Sequence, residues 1–189
     1  TSGNGVNGTV SGAILTADRF NTPASAYYLD GANDYITIPA HTSRSFGTAD
    51  FSYTFWIRTT DNAFLIDARD SSTERGLAIS ADLNSDADIQ SSLQSGLSSS
   101  TVAFDPTDWT DGTWHCIAVV RDGNRLFQYV DGVLSAENPE TDPVVDIGTS
   151  NIIYIGSRMT GTPSGGYYSG TIDDLRIYNK ALTVNELQF

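Results

Sequence analysis

The 189-residue sequence has few basic residues and almost no cysteine. It carries 10 lysines and arginines against 23 aspartates and glutamates, which gives a formal net charge of −13. Nucleic acids and anionic membrane surfaces are bound through basic faces, and so few cations do not provide one. The single cysteine, Cys116, excludes an internal disulfide. No apolar run reaches the roughly 18 residues that a bilayer-spanning segment needs, so membrane insertion is not expected.

The sequence also lacks the residue spacings of common hydrolases. Glycosidases use two carboxylates, one on each side of the scissile bond. One class of glycosidases, with a β-sandwich fold, carries Glu-x-Asp-x-Glu on one strand. No glutamate here has that spacing. With only two histidines, His41 and His115, and no nucleophile elbow, a serine triad is not indicated either. The sequence predicts a domain that is itself non-catalytic, although the parent protein could be an enzyme that degrades polysaccharides.

Short alternating segments and tight turns fill most of the chain. In residues 51–58, alternate side chains from Phe51 to Ile57 are apolar, a period of two that is typical of a strand. Residues 114–121 are apolar on both faces, and Asp-Gly turns follow at 122–123 and 131–132. A hairpin is predicted at 76–93, and a turn or short helix at 183–188. This pattern predicts an all-β fold with two antiparallel sheets in a sandwich or jelly roll.

Four segments, in order along the chain, resemble the laminin-G-like, concanavalin-A-like jelly-roll domains. They are the Gly/Asn-rich opening 3–12, Ala26-Tyr27-Tyr28-Leu29-Asp30-Gly31 with its continuation to Ile36, the Trp114-His115 strand with its hairpin to Gly132, and the closing segment 170–182. The resemblance implies one domain over residues 1–189, and we expect it to be part of a larger secreted or cell-surface protein. Such domains serve as carbohydrate-binding modules, adhesin modules or spacers, so the fold leaves the function open.

Carboxylates near the predicted Asp30-Gly31 turn suggest a metal site. Asp173 shares strand parity with Leu175 and Ile177, and Asp34 shares it with Ile36, so both carboxylates are expected to point inward and to need a partner. Calcium binds such oxygen-rich sites, and the resemblance also implies a structural calcium between this turn and the closing strand. The predicted ligands are Asp30, Asn33, Asp34 and Asp173. The alternative is that these residues only form turns and solvated edges.

A second acidic stretch, residues 82–88, has the first alternating oxygen ligands of an EF-hand loop. It has Ala87 where that loop requires glycine and Leu93 where it requires glutamate. A solvated hairpin tip is therefore the interpretation we favour for this stretch.

Sugar binding needs aromatic surfaces and polar groups that reach hydroxyls. We predict these at Tyr167 and Tyr168 in a Gly/Ser-rich loop, with Trp109 and Arg158 as further contacts. Trp109 could instead anchor the loop before the next strand. Trp56 and Arg58 also share a face, opposite Phe55, and for Trp56 we favour a covered core position.

Two other residues are expected to be structural. Cys116 shares parity with Trp114 and Ala118 and is predicted to be a small core residue rather than a reactive thiol. His115 lies on the other face of the same strand, where a hydrogen-bonded core histidine is favoured over a functional one.

The sequence as a whole predicts a non-catalytic, lectin-like module that binds a polysaccharide or glycan and is stabilised by calcium. The alternative is a structural or cell-adhesion module without glycan affinity, whose partners would be the other domains of its parent protein.

Overall fold

The computed structural model describes residues 5–61, 63–81, 89–95, 99–103, 109–139, 145–148, 151–158 and 166–187. This part of the chain contains fourteen β-strands and one short 3₁₀ helix, Thr42–Arg44. It contains no helix with the length and hydrophobicity that crossing a bilayer requires. The strands are β1 Thr9–Ser11, β2 Ile14–Thr16, β3 Ala26–Asp30, β4 Tyr35–Ile38, β5 Phe51–Thr59, β6 Ala63–Asp67, β7 Gly76–Ala81, β8 Ile89–Gln94, β9 Ser99–Ala103, β10 Trp114–Asp122, β11 Arg125–Val130, β12 Val133–Pro139, β13 Ile153–Ile155 and β14 Ser169–Tyr178.

The strands form two seven-stranded antiparallel sheets. Sheet I has the order β1-β4-β13-β6-β7-β8-β9, and sheet II has the order β12-β11-β10-β5-β14-β3-β2. One core cluster contains side chains from both sheets, among them Phe55 and Ile57 of sheet II and Leu65 and Ile79 of sheet I. The two sheets therefore pack face to face, and the predicted all-β sandwich is confirmed.

The two predicted Asp-Gly turns connect consecutive strands of sheet II. Gly123 joins β10 to β11 at a φ of +59°. Asp131 and Gly132, at φ of +49° and +82°, join β11 to β12. In the Asp131-Gly132 turn, positive φ at both central residues matches the right-handed twist of the strands, whereas in the first turn only Gly123 has a positive φ. The predicted hairpin at 76–93 is present as β7 and β8, while its polar tip at 82–88 lies outside the described residues.

The end of the described chain packs on the outer face of sheet II. Leu182 and Leu187 form a second apolar cluster with Ala118 and Val120 of β10. Glu186 accepts hydrogen bonds from the backbone N–H and the hydroxyl of Thr183 at 2.9 and 3.0 Å, so the predicted turn forms here. This segment covers the β10–β11 side of the outer face.

A β-bulge interrupts the long closing strand β14. Its register against β5 shifts between Asp173 and Arg176, and Asp174 adopts a φ of +51°. Aspartate tolerates this conformation better than most residues. Because a bulge inserts one residue, the side chains on its two sides follow opposite parity. Ile172 and Leu175 both pack toward the core, whereas Asp173 lies on the outer face.

Two buried arginines add polar contacts to the apolar interior. Arg121 of β10 is fully buried, and its guanidinium donates to the backbone carbonyls of Gly47, at 2.9 Å, and Val145. Arg69 forms a two-pronged pair with Asp67 of β6, through Nε–Oδ1 at 2.9 Å and Nη2–Oδ2 at 2.7 Å. Arg121 therefore joins two loops that are distant in the chain, whereas the Arg69–Asp67 pair is local to the end of β6.

Candidate functional site: the Trp56 cleft

Asp173 is not on the side of the strand that its parity predicted. The bulge at Asp174 turns the Asp173 carboxylate away from the core and onto the outer face, where it accepts a 2.6 Å hydrogen bond from Arg19 Nη1. The strand register places Ser169, rather than Asp173, opposite Asp30. Asp173 is therefore about 13 Å along the strand from the Asp30 turn. The prediction that Asp173 shares a ligand set with this turn is wrong.

The other three predicted metal ligands belong to the β3–β4 turn. Asp34 is buried, as predicted, and its Oδ2 accepts the backbone N–H of Asp30 at 3.0 Å. Asp30 and Asn33 are exposed, and Asp30 accepts the backbone N–H of Ala32 at 2.8 Å. These bonds close the turn on itself. Among the described residues, no three acidic, histidine or cysteine side chains are placed to share a metal ion. The four-residue ligand set does not fit one ion, and calcium binding stays a prediction.

Tyr168 is a core residue and not a ligand contact. Its side chain has no exposed surface, and its hydroxyl donates to the carbonyl of Thr171 at 3.1 Å. A Cβ at Gly170 would lie 2.6 Å from this hydroxyl, so glycine leaves the space that the phenol fills. Burial raises the pKa of Tyr168, which keeps the phenol protonated. Tyr167 is half-buried, and the loop that precedes it, 159–165, lies outside the described residues.

Trp109 and Arg158 are both engaged in intramolecular contacts. Trp109 packs on the core and meets the ring of His115 edge-on at 5.0 Å between centroids. His115 Nδ1 lies 2.8 Å from Asp131 Oδ2, which confirms the hydrogen-bonded structural histidine. Arg158 lies over the ring of Phe64 at 5.6 Å and 3.8 Å from Glu74. The structure does not bring Trp109 and Arg158 together with Tyr167 in one described site.

A cleft on the outer face of sheet II contains aromatic and charged side chains close together, which the predicted site around Tyr167 does not. It has a volume of about 210 Å³ and is centred on Trp56, so we call it the Trp56 cleft. Three neighbouring strands supply its floor, because Cys116, Trp56 and Asp173 lie opposite one another in the register of β10, β5 and β14. The side chains that line it include Arg19, Thr54, Trp56, Cys116, Asp174 and Arg176.

A second aromatic group lies beside this cleft. Arg58 and Trp114 are paired across β5 and β10, and the guanidinium of Arg58 lies 5.2 Å from the ring centroid of Trp114. Trp114 is diagonal to Trp56, a spacing of about 7–8 Å between adjacent strands. Both tryptophans are half-buried, and Arg58 is exposed. The predicted shared face of Trp56 and Arg58 is confirmed, and Trp56 lines a cleft rather than a covered core.

Charged groups fix the wall of the Trp56 cleft. Arg19 lies over the ring of Trp56 at 4.6 Å and bonds to Asp173 at 2.6 Å and to Asp174 at 2.9 Å. Arg176 approaches Asp174 at 3.3 Å. The side chains of Asp174 and Arg176 are 38% and 42% exposed, so both can also reach a ligand. The wall is thus ordered before any ligand arrives, which lowers the entropic cost of binding.

The Cys116 thiol at the floor of the cleft is not an activated nucleophile. Burial, with the charge of Asp131 adding to it, raises the pKa of the Cys116 thiol to about 12, so the thiolate that attacks substrates is absent near neutral pH. Burial, together with the neighbouring charge of Asp174, also raises the pKa of Asp173, against the opposing effect of Arg19. The cleft offers aromatic faces, guanidinium donors and a carboxylate acceptor, which is a set of groups suited to binding.

Sequence reasoning overlooked Arg19 as a site residue. Arg19 is 154 residues from Asp173 along the chain, and no local pattern connects them. The bulge has a weak sequence signal, the Asp173-Asp174 pair inside a strand, because aspartate is among the residues that accept positive φ.

Two antiparallel sheets around a shared core, with an aromatic and charged cleft on an outer face, define a β-sandwich with a candidate binding site. The family model Laminin_G_3, of the Concanavalin A-like lectin/glucanases superfamily, matches residues 30–188. The chain therefore belongs to this family, as the sequence resemblance predicted. A comparison with curated proteins gave no significant match.

Several solved structures share the fold. The binding domain of botulinum neurotoxin serotype D matches 99% of this chain and 46% of its own, with 16% identity and a TM-score of 0.74. Domains LG4-5 of the mouse laminin alpha1 chain match 84% of this chain and 44% of their own, with 18% identity and a TM-score of 0.63. A structure of botulinum neurotoxin type C, whose cell entry depends on interaction with two ganglioside molecules, matches 98% of this chain and 46% of its own, with 18% identity and a TM-score of 0.74. The chain spans less than half the length of each, and at these identities the likeness concerns the fold.

Proposed function

We propose that this domain is a non-catalytic carbohydrate-binding module of a secreted or cell-surface protein and that the Trp56 cleft is its binding site. The observation that carries the proposal is the placement of two half-buried tryptophans on adjacent strands, on the part of the outer face that the C-terminal segment leaves open. Aromatic rings there offer apolar faces to sugar rings, since the faces of aromatic side chains attract weakly positive C–H groups.

The charged wall supports the same proposal. Sugar hydroxyls both donate and accept hydrogen bonds, and the exposed Arg176 and Asp174 supply a donor and an acceptor side by side. Ganglioside recognition by a structural relative of this fold, the botulinum neurotoxin type C protein, is in keeping with a glycan partner. The span from Trp56 to Trp114 suits one or two sugar units.

Replacing Trp56 by alanine is expected to weaken glycan binding about tenfold, which corresponds to roughly 1.4 kcal/mol. The reason is the loss of an aromatic face from a preformed wall. A glycan array identifies a ligand, and isothermal titration calorimetry then measures its Kd with the wild type and the variant. Near-ultraviolet circular dichroism confirms that the variant keeps its fold.

The matched control is Tyr167→Ala, which removes an aromatic side chain from the loop that the sequence predicted. Glycan binding should be unchanged in this variant. Loss of binding in Tyr167→Ala but not in Trp56→Ala would move the site to that loop. An array without any glycan ligand would contradict the proposed function.

The second candidate function is adhesion to another protein. The observation that favours it is an exposed apolar margin at β2, where Ile14 is 61% exposed, Leu15 55% and the nearby Phe20 72%. Exposed apolar patches on a sheet edge are typical of protein contacts. An array without ligands, together with concentration-dependent association that Ile14→Asp abolishes, would favour this function.

Calcium, if bound, can involve the Asp30–Asp34 turn but not Asp173, which is paired with Arg19. A ligand that binds only the folded state raises the Tm by mass action. We expect millimolar calcium, added after EDTA treatment, to raise the Tm of wild type and of the control Asp173→Asn, but not of Asp34→Asn. An unchanged Tm in wild type, with elemental analysis confirming that EDTA had removed calcium, would contradict calcium binding.

A further inference from the structure

A cavity away from the Trp56 cleft lies between the two sheets at one end of the sandwich. Its volume is about 390 Å³. Its apolar walls come from both sheets and the loop between β4 and β5, through Ile38 of β4, Leu175 and Ile177 of β14, and Phe46. Phe46 is itself held by stacking on Phe51, with 5.1 Å between ring centroids. This volume lies within the range of small-molecule sites in proteins.

Three residues with polar side chains line the same cavity. They are Arg44, Asn179 and Ser43, whose hydroxyl lies 2.8 Å from His41 Nδ1. Arg44 ends the short 3₁₀ helix, and its Nη2 donates to the carbonyl of Pro39. That bond anchors the arginine and leaves the rest of its guanidinium for another acceptor.

The charge of Arg44 is not balanced within the described part of the chain. Among the described residues, Arg44 makes no ion pair, and its buried Nε has no hydrogen-bond partner. Tyr53 lies within electrostatic range, but burial raises the pKa of its phenol, so this group stays neutral. Partial burial of a cation that is not balanced by an anion is costly.

We propose that this cavity binds a small organic carboxylate with an apolar body, held by an ion pair with Arg44. The carboxylate binds the terminal guanidinium donors that Pro39 leaves vacant, since Nε is buried and charge-assisted bonds between a guanidinium and a carboxylate are strong. Ser43 and Asn179 donate to the remaining lone pairs. The apolar body packs between Ile38, Leu175 and Ile177. This site is separate from the proposed glycan site, because the side chains of the Trp56 cleft lie on the outer face of sheet II.

The test uses benzoate as the probe and benzamide as its neutral control of nearly equal shape. A titration followed by ¹H–¹⁵N correlation spectra should give saturable shifts, with a millimolar Kd for benzoate, at residues around the cavity. Benzamide should bind at least tenfold more weakly. Equal binding of the two probes, or the absence of saturable shifts with benzoate, would overturn the proposal.

Two variants separate the charge from the cavity. Arg44→Gln keeps hydrogen-bonding capacity but removes the cation, and it should lower benzoate affinity more than tenfold while leaving benzamide unaffected. Leu175→Trp keeps Arg44 and fills the cavity, and it should abolish binding of both probes. Arg125→Gln, which removes an exposed arginine of β11, is the matched control and should bind benzoate as wild type does. Unchanged benzoate binding in either cavity variant would overturn the proposal, and the spectra themselves report whether each variant is folded.

Discussion

Replacing Arg69 by methionine is expected to lower the free energy of unfolding by about 3–5 kcal/mol. The side chains of Arg69 and Asp67 are only 4% and 0% exposed. Removing the guanidinium leaves the Asp67 carboxylate buried without its counter-charge, and also removes the 3.1 Å bond from Arg69 to Gln94. Urea denaturation followed by tryptophan fluorescence measures the change.

Two comparisons make the Arg69 prediction specific. The double variant Asp67→Leu/Arg69→Met should recover most of the lost stability, because it removes both charges from the interior. Arg125→Met breaks an ion pair with Glu137 whose side chains are 45% and 44% exposed, and it should cost less than about 1 kcal/mol. A loss for Arg69→Met no larger than that for Arg125→Met would contradict the structural role assigned to the buried pair.

Replacing Arg121 by methionine is the second substitution with a large expected effect. It should lower the free energy of unfolding by about 3 kcal/mol. The guanidinium of Arg121 binds the carbonyls of Gly47 and Val145, which belong to two loops at the end of the sandwich. Methionine fills a similar volume but removes two charge-assisted hydrogen bonds, each of which contributes about 1.5–3 kcal/mol. The Gly47 carbonyl still accepts the backbone N–H of Ile147 at 3.1 Å, so the loss comes from the arginine bonds themselves. The urea midpoint should fall, with an unchanged denaturant slope.

Arg121→Lys is the informative companion variant. Lysine keeps the charge but presents a single ammonium, which cannot reproduce the spread of the guanidinium donors toward two carbonyls. It should recover only part of the stability lost in Arg121→Met. Full recovery would mean that the charge, rather than the two-loop geometry, is what matters, and would contradict the assigned role.

The fold was predictable because its signals are local. The period of two in β5, the doubly apolar β10 and the Asp-Gly turns at 122–123 and 131–132 each constrain a few consecutive residues. Side-chain alternation and positive φ are properties of the backbone, so they can be inferred from neighbouring letters. The same reasoning placed Trp56 and Arg58 on one face, which the structure confirms. It also predicted a core position for Cys116, which is buried but lies on the outer face of sheet II and not between the sheets.

The candidate sites depended on contacts that no local pattern contains. Because Asp174 forms a bulge, the Asp173 side chain points to the opposite side of the strand from the one predicted. Asp173 therefore cannot belong to the predicted calcium ligand set. Tyr168 appeared in a glycine-rich loop but fills a space over Gly170 that exists only once β14 is formed. Arg19 reaches the Trp56 cleft from a distant loop. The sequence by itself determined the strands, the turns and the family, because these follow from short-range geometry. Only the packing of the two sheets decided which distant side chains meet and which charges form ion pairs. The reason is that this packing sets the distances between residues far apart in the chain.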